Sequence, residues 1–267
     1  MRRATFCSAR KFYFDHGGIF MKTLRIGTFN IQHGKDHVYY LETKKERIDF
    51  PLMASVIRAE ELDICALNEV REESETPVGI DQAKEIAACL GYHYVFGKAI
   101  DFRGGAYGNA IVSRYPITRT RLHPIAIPKD QRLHEHSYYE DRVLLEADIS
   151  VDGEILTLFA CHFGLAPDEQ EQAVKIIRAA QAETKTPIVL LGDFNVTPVT
   201  DIYRDLSETF TDAADGTRDN FTFPSHAPSR KIDYIFTAGA CRSSAFCVSE
   251  HVASDHRAVL TELTFPV

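Results

Sequence analysis

Hydrophobic and polar positions along the chain follow two periods, and the switches between them lay out the elements. Residues 24–31 alternate as a strand. Asp49 stands at a helix N-cap position, with Pro51 in the first turn and Leu52, Met53, Val56 and Ile57 forming one apolar stripe. Residues 63–67 are a short apolar run, and a second helix is predicted over 79–90, stopped by Gly91. Residues 92–96, 107–113 and 117–122 read as strands of an antiparallel set, with 101–105 (DFRGG) as a flexible connection. A hairpin follows, in which 142–150 and 154–161 meet at Asp152 and Gly153. Pro167 opens a helix that turns Val174, Ile176 and Ile177 inward and leaves its acidic first turn (DEQEQ) in solvent, favoured there by the helix dipole. Residues 188–191 (IVLL) form the continuous apolar run of a strand buried on both faces. A short helix over 201–206 and strands over 232–236, 245–249 and 257–265 complete the pattern, while 32–43, 127–141 and 221–230 lack a period and are predicted as rim loops.

Strands and helices alternate in each half, but hairpins intervene, so the pattern is not that of a simple doubly wound sheet. No proline- or glycine-rich linker, low-complexity stretch or fixed-period repeat divides the chain. With 267 residues, 45% of them hydrophobic, one large core can be built, and 21–267 is read as a single domain. No apolar run approaches the length that crosses a bilayer.

Candidate chemistry collects at strand ends. The run IVLL ends in Gly192, Asp193, Phe194 and Asn195. Gly192 lets the backbone turn, and Asp193 and Asn195 can point the same way from an extended segment, offering two hard oxygen ligands to Mg²⁺ or Mn²⁺. The other reading is an Asx-turn, since both are ordinary turn residues. Six further apolar runs carry the same kind of group: Asn30 in GTFNIQ, Glu69 in ICALNEV, Asn109 in YGNAIVSR, His162 in LTLFACHFGL, Asp233 in KIDYIF, and the Asp255-His256 pair in ASDHRAV. An acidic group such as Glu69 at the end of a buried strand is costly unless paired. His134 and His136 in the 127–141 stretch are either metal ligands or, more commonly for such residues, solvated loop histidines.

In order and spacing, these motifs resemble the endonuclease/exonuclease/phosphatase superfamily over nearly the whole chain. The resemblance implies a four-layer α/β sandwich of the deoxyribonuclease I type, with two packed mixed sheets flanked by helices and the site at one edge. It also implies a hydrolase that cleaves a phosphodiester or phosphomonoester by in-line attack of an activated water, aided by Mg²⁺ or Mn²⁺. By position, Glu69 resembles the principal metal ligand, Asn30 a direct or indirect metal contact, and Asp255 the other carboxylate on the metal side. His256 resembles the catalytic histidine, with Asp233 holding its ring in one tautomer. Asp193 has two roles open to it, orienting or deprotonating the water, or holding a second metal. Asn195 would donate to a phosphate oxygen. His162 stands where exonuclease III-like members usually carry tyrosine, which argues against an apurinic-site nuclease and for stabilising the phosphorane or the departing oxygen. Asn109 and Arg142 match weaker positions near the scissile phosphate; core packing or surface pairing explains Arg142 equally well. The substrate stays open between a small molecule and nucleic acid, a nuclease being the alternative reading. A silent phosphate-binding module is the remote one, because none of the expected metal or dyad residues is missing.

A net charge of −8 supplies no global field towards nucleic acid. The six cysteines are scattered, which suits free thiols in a reducing cytoplasm rather than a disulfide framework, and a monomer is expected. Residues 1–20 have a basic start but no apolar core and make a poor secretory signal; they are read as a mis-assigned or disordered extension, with Met21 as the start. That stretch carries four basic side chains and one acidic, so its removal takes the net charge from −8 to −11. The intact mass of natively expressed protein is expected to fit a chain starting at Met21; a mature chain starting at Met1 contradicts this.

Overall fold

Two mixed sheets pack face to face in the structure, a computed structural model that describes residues 12–14, 20–72, 80–129, 138–217 and 220–267. The first runs in the order β12 (Arg242–Val248), β13 (Val259–Pro266), β2 (Phe20–Asn30), β3 (Ile64–Glu72), β5 (Gly105–Ser113), β4 (His93–Phe102), with the short β1 (Phe12–Phe14) pairing with the start of β2. The second runs β10 (Thr211–Asp212), β11 (Asp233–Ala238), β9 (Ile188–Asp193), β8 (Glu154–Cys161), β7 (Arg142–Val151), β6 (Ile117–Ile125). Among the described residues only β2 with β3 and β8 with β9 are parallel; the other pairs are antiparallel.

Leu24, Ile26, Leu145, Ile149, Leu158 and Leu191 fill the space between the sheets. Each such side chain contributes about 1.5–3 kcal/mol by leaving water, so burial decides the pairing of the sheets. Helices α2 (Phe50–Ala59) and α3 (Gln82–Leu90) cover the outside of the first sheet through Met53, Val56, Ile57 and Ile86. Helices α4 (Pro167–Glu183) and α5 (Asp201–Ser207) cover the second through Val174, Ile177, Ile202 and Leu206. The result is the four-layer sandwich expected. Among the described residues no helix is long and apolar enough to cross a membrane, and Cys65, Cys89, Cys161, Cys241 and Cys247 are free thiols.

Several local expectations are corrected. Residues 32–43 are not a loop: Gln32–Gly34 makes a 3-10 turn, and α1 (His37–Thr43) follows, capped by the Asp36 carboxylate accepting from Tyr39 N at 2.9 Å. Helix α3 starts only after Asp81, whose side chain caps it. Strand β6 does not join β4 and β5; it crosses to the second sheet and pairs with β7, leaving β4 at the edge of the first. The acidic first turn of α4 is buried, not solvated. Glu169 accepts from Ala166 N and Glu140 N, and Gln170 donates to Gly164 O, so these side chains tie loop backbone to the helix start.

The topology brings many chain segments to one edge. Parallel β2 and β3 end there, as do β8 and β9, and the antiparallel β11 and β13 begin there. Asp233, first in β11, lies in register with Asp193, last in β9. Gly192 does not make the turn predicted for it. It lies within the strand at φ 149°, and a Cβ there would fall on the carbonyl oxygen of Cys161 in the neighbouring β8. Gly192→Ala is therefore expected to destabilise the fold by about 4 kcal/mol or more, read as a shift of the urea midpoint.

Candidate functional site

Each group at this edge is aimed by a specific backbone device. Glu69 sits in a bulge of β3, where Asn68 and Glu69 together oppose Asn109 of β5. Its φ of 59° is unusual for a residue with a Cβ, and conformations of this kind cost about 1–3 kcal/mol. The bulge turns its carboxylate to the site edge, where the Tyr107 hydroxyl hydrogen-bonds it. Asp193 ends β9 and Asn195 follows at φ 52°, its backbone N–H donating to Asp193 Oδ1 at 3.0 Å. The Asx-turn and the site are thus one feature, and the two side chains do not project from an extended segment. Between them Phe194 anchors the turn by stacking on Phe163 at 4.5 Å and Tyr234 at 5.5 Å.

His256 is braced from the loop before β11. Its ring lies 4.8 Å from that of Phe223, and Ser225 binds the neighbouring backbone by donating N–H to Asp255 O and its hydroxyl to Ser254 O. Its Nδ1 donates to Asp233 Oδ2 at 2.9 Å, and its Nε2 lies 3.6 Å from Asp193 Oδ2. Asn30 carries the chain of contacts further, its amide N–H groups donating to Asp193 Oδ2 at 3.1 Å and Glu69 Oε1 at 3.0 Å. Its oxygen accepts from Gln32 N, so here the amide orients two carboxylates. Gln32 donates its side-chain N–H to Asp255 Oδ2 at 2.8 Å. Glu69, Asn30, Asp193, His256, Asp233 and Asp255 therefore gather in one place.

Burial shapes the charges. It pushes the Asp193 carboxyl upward, an effect opposed by the His256 charge and reinforced by Asp233. Burial pulls the His256 imidazole down, but the carboxylates of Asp233 and Asp193 outweigh it and leave the ring's pKa raised. Burial also raises Asp255, with His256 opposing and Glu69 adding to the shift. His162 goes the other way, held well below its ordinary value by burial and by the Arg142 and His256 charges. Those effects favour the neutral ring. Asn195 Nδ2 lies 3.2 Å from its Nε2 and Arg142 Nη1 3.4 Å from its Nδ1. Both neighbours are donors and a neutral ring has one acceptor nitrogen, so only one contact is a hydrogen bond in either tautomer. Asn195 Nδ2 also donates to Phe163 O at 3.1 Å.

Arg142 reaches the site, lining a recess of about 400 Å³ together with Glu69, Tyr107, Glu140 and His162, and pairs with Glu140 at 2.9 Å. Asn109 does not line it. Its side chain is buried between the sheets, accepting from Asn68 Nδ2 at 2.8 Å and donating to Val143 O at 2.9 Å, which corrects its placement beside a phosphate. His134 and His136 lie outside the described residues. Sequence reasoning missed Gln32, Asn68 and Tyr107. The first two stand beside motif residues, and Tyr107 falls in a strand where an aromatic reads as packing.

Residues 27–256 match the Endonuclease/Exonuclease/phosphatase family. The chain belongs to this family. Its members are generally metal-dependent phosphoesterases. Among solved structures, an endonuclease/exonuclease/phosphatase from Beutenbergia cavernae DSM 12333 is 24% identical with a TM-score of 0.72, over 91% of this chain and 72% of that one. A family structure from Bacteroides vulgatus is 21% identical with a TM-score of 0.71, covering 90% and 98%. The mannosyl-6-phosphatase of Bacteroides thetaiotaomicron VPI-5482 is 18% identical with a TM-score of 0.71, covering 90% and 99%. At these identities the likeness speaks for the fold. No curated protein sequence matches the chain.

Asn68 holds the family's site together from behind. Its amide donates to Asn109 Oδ1 and Cys161 O and accepts from Asp193 N at 3.0 Å. Asn68→Ala leaves three buried groups without this partner. It is expected to lower stability by about 3 kcal/mol or more in urea unfolding and to reduce turnover in the protein that remains folded.

Proposed function

We propose that the protein is a divalent-metal-dependent hydrolase of small phosphate esters. The reading is carried by the chain of contacts from Glu69 through Asn30 and Asp193 to His256 and Asp233, contributed by separate segments and closed at a single edge.

The donor set fits a hard cation. Burial raises the Asp255 carboxyl and the Glu69 charge adds to that shift, and a cation held by the two carboxylates would offset both effects. Asp193, Asp233 and His256 also bring one ligand atom each within 4.8 Å of one another. There, however, an imidazolium already sits between the two carboxylates, so Glu69 and Asp255 are assigned to Mg²⁺ or Mn²⁺. When bound, the metal neutralises phosphate charge and stabilises the pentacoordinate transition state.

The protein's own groups do the rest. Asp233 fixes the His256 ring with Nε2 towards the centre, where the protonated ring donates to a phosphoryl oxygen. Asp193, raised by burial, orients the attacking water and takes its proton as the water oxygen bonds to phosphorus. The bond from phosphorus to the leaving oxygen breaks, and neutral His162 with Arg142 stands beside that oxygen. Asn195 holds His162 in place.

The compact recess and the charge of −8 favour a small substrate over a duplex. The mannosyl-6-phosphatase with this fold supports a phosphorylated small molecule as a substrate class. The free thiols support a cytoplasmic location. Hydrolysis of p-nitrophenyl phosphate or bis-p-nitrophenyl phosphate is expected to require added Mg²⁺ or Mn²⁺ and to stop in EDTA. Glu69→Gln and His256→Gln are expected to lower kcat by about 10²–10⁴-fold with the circular dichroism spectrum unchanged. Full activity in EDTA overturns the reading, and efficient plasmid nicking with no turnover of the small esters moves it to a nuclease.

A further inference from the structure

The recess beside Glu69 has a second end, and its chemistry differs from that of the first. At the near end stand Glu69, Arg142 and His162. At the far end the guanidinium groups of Arg71 and Arg103 both pack over the ring of Phe102, at 5.4 and 5.1 Å from its centroid.

The far end is built rather than incidental. Strand β4 ends at Phe102, which pairs with Gly105, so Arg103 and Gly104 are the two turn residues of a hairpin, at φ 50° and 83°. Turns with two positive φ values match the twist of paired strands, which fixes where Arg103 emerges. Arg71 continues β3 beyond the bulge. Its backbone N–H donates to Gln82 Oε1 at 2.9 Å, and Gln82 Nε2 donates to His33 O at 2.9 Å. The buried Gln82 thus locks the strand carrying Arg71 to the turn carrying His33, both of which line the recess.

The charges there favour an anion. Of the lining carboxylates, Glu140 pairs with Arg142 at 2.9 Å and Glu46 with His33 at 3.0 Å. Glu69 is held by Asn30 and Tyr107 at the reacting end. Arg103 packs on Phe102, and its charge reaches Glu46, whose carboxylate bonds to His33. Guanidinium forks are suited to a phosphate dianion, whose oxygens accept charge-assisted hydrogen bonds from them. A volume of about 400 Å³ lies towards the small end of ligand pockets, which span roughly 300–1,000 Å³. It suits a compact molecule reaching from one end to the other.

We propose that the substrate carries a second phosphate, which Arg71 and Arg103 grip at the far end of the recess while the first phosphate reacts beside Glu69. The inference rests on the phosphoesterase reading and narrows it to compact bisphosphates. Arg103 is a specificity residue that touches the non-reacting group.

Competition tests it. Glucose 6-phosphate and glucose 1,6-bisphosphate are each titrated against metal-dependent hydrolysis of p-nitrophenyl phosphate or its bis-ester, so the result does not depend on either sugar being turned over. The bisphosphate is expected to have an inhibition constant at least about tenfold lower than the monophosphate, the effect of one added charge-assisted contact. Arg103→Ala is expected to bring the two constants together and leave kcat on the p-nitrophenyl ester unchanged, while Arg103→Lys keeps part of the preference. Equal constants in the parent protein, or a preference that survives Arg103→Ala, overturn the bisphosphate inference alone. Absence of any metal-dependent hydrolysis of the p-nitrophenyl esters overturns the phosphoesterase reading, and the inference with it.

Discussion

The polar bridge between the two sheets is the constraint on which the site depends. Asn68 in β3 and Asn109 in β5 face the second sheet, and their amides bond to Cys161 O of β8, Val143 O of β7 and the N–H of Asp193 in β9. Around Leu24, Ile26, Leu145 and Leu158 the contact between the sheets is apolar and tolerates small slides, because dispersion has no preferred register. Amide hydrogen bonds in a dry interface do not tolerate them, since each one lost strands a buried donor or acceptor. The bridge therefore sets where Glu69, next to Asn68, stands relative to Asp193, across the interface.

With the sheets pinned, local distortion becomes useful. The bulge at Asn68 and Glu69 breaks the period of β3 so that one residue looks into the sandwich and the next towards the site edge. The left-handed Asn195 folds the end of β9 back under Phe163 and His162. Both conformations are intrinsically unfavourable by a kcal/mol or so, and the packing of Phe194 and the amide bridge hold them. The same rigidity keeps like-charged carboxylates close together around His256.

Much of this was legible in advance where a residue's own chemistry forces its role. Asp49 and Gly91 read as helix boundaries because capping is local. Asp152 and Gly153 read as a hairpin turn for the same reason. Asp193, Asp233 and His256 were conspicuous as polar groups at the ends of apolar runs. Misreadings came where a distant partner decides. The DEQEQ turn looks solvated until Gly164, Ala166 and Glu140 supply buried partners for it. Asn109 looks like a site residue until Asn68 takes up its carbonyl oxygen. Gly192 looks like a turn until β8 comes too close for a Cβ.

The sequence by itself determined the kind of protein: the periodicity of its strands and helices, the set of chemical groups at the strand ends, and the family that their order betrays. Those follow from interactions within a few residues and from side-chain type. Only the tertiary structure decided which sheet β6 joins, that Asn68 and Asn109 bridge the sheets, and that Arg71, Arg103 and Phe102 meet beside Glu69. Each of these depends on the approach of segments far apart in the chain, and hydrophobic pattern carries no information about which polar group will lie opposite which.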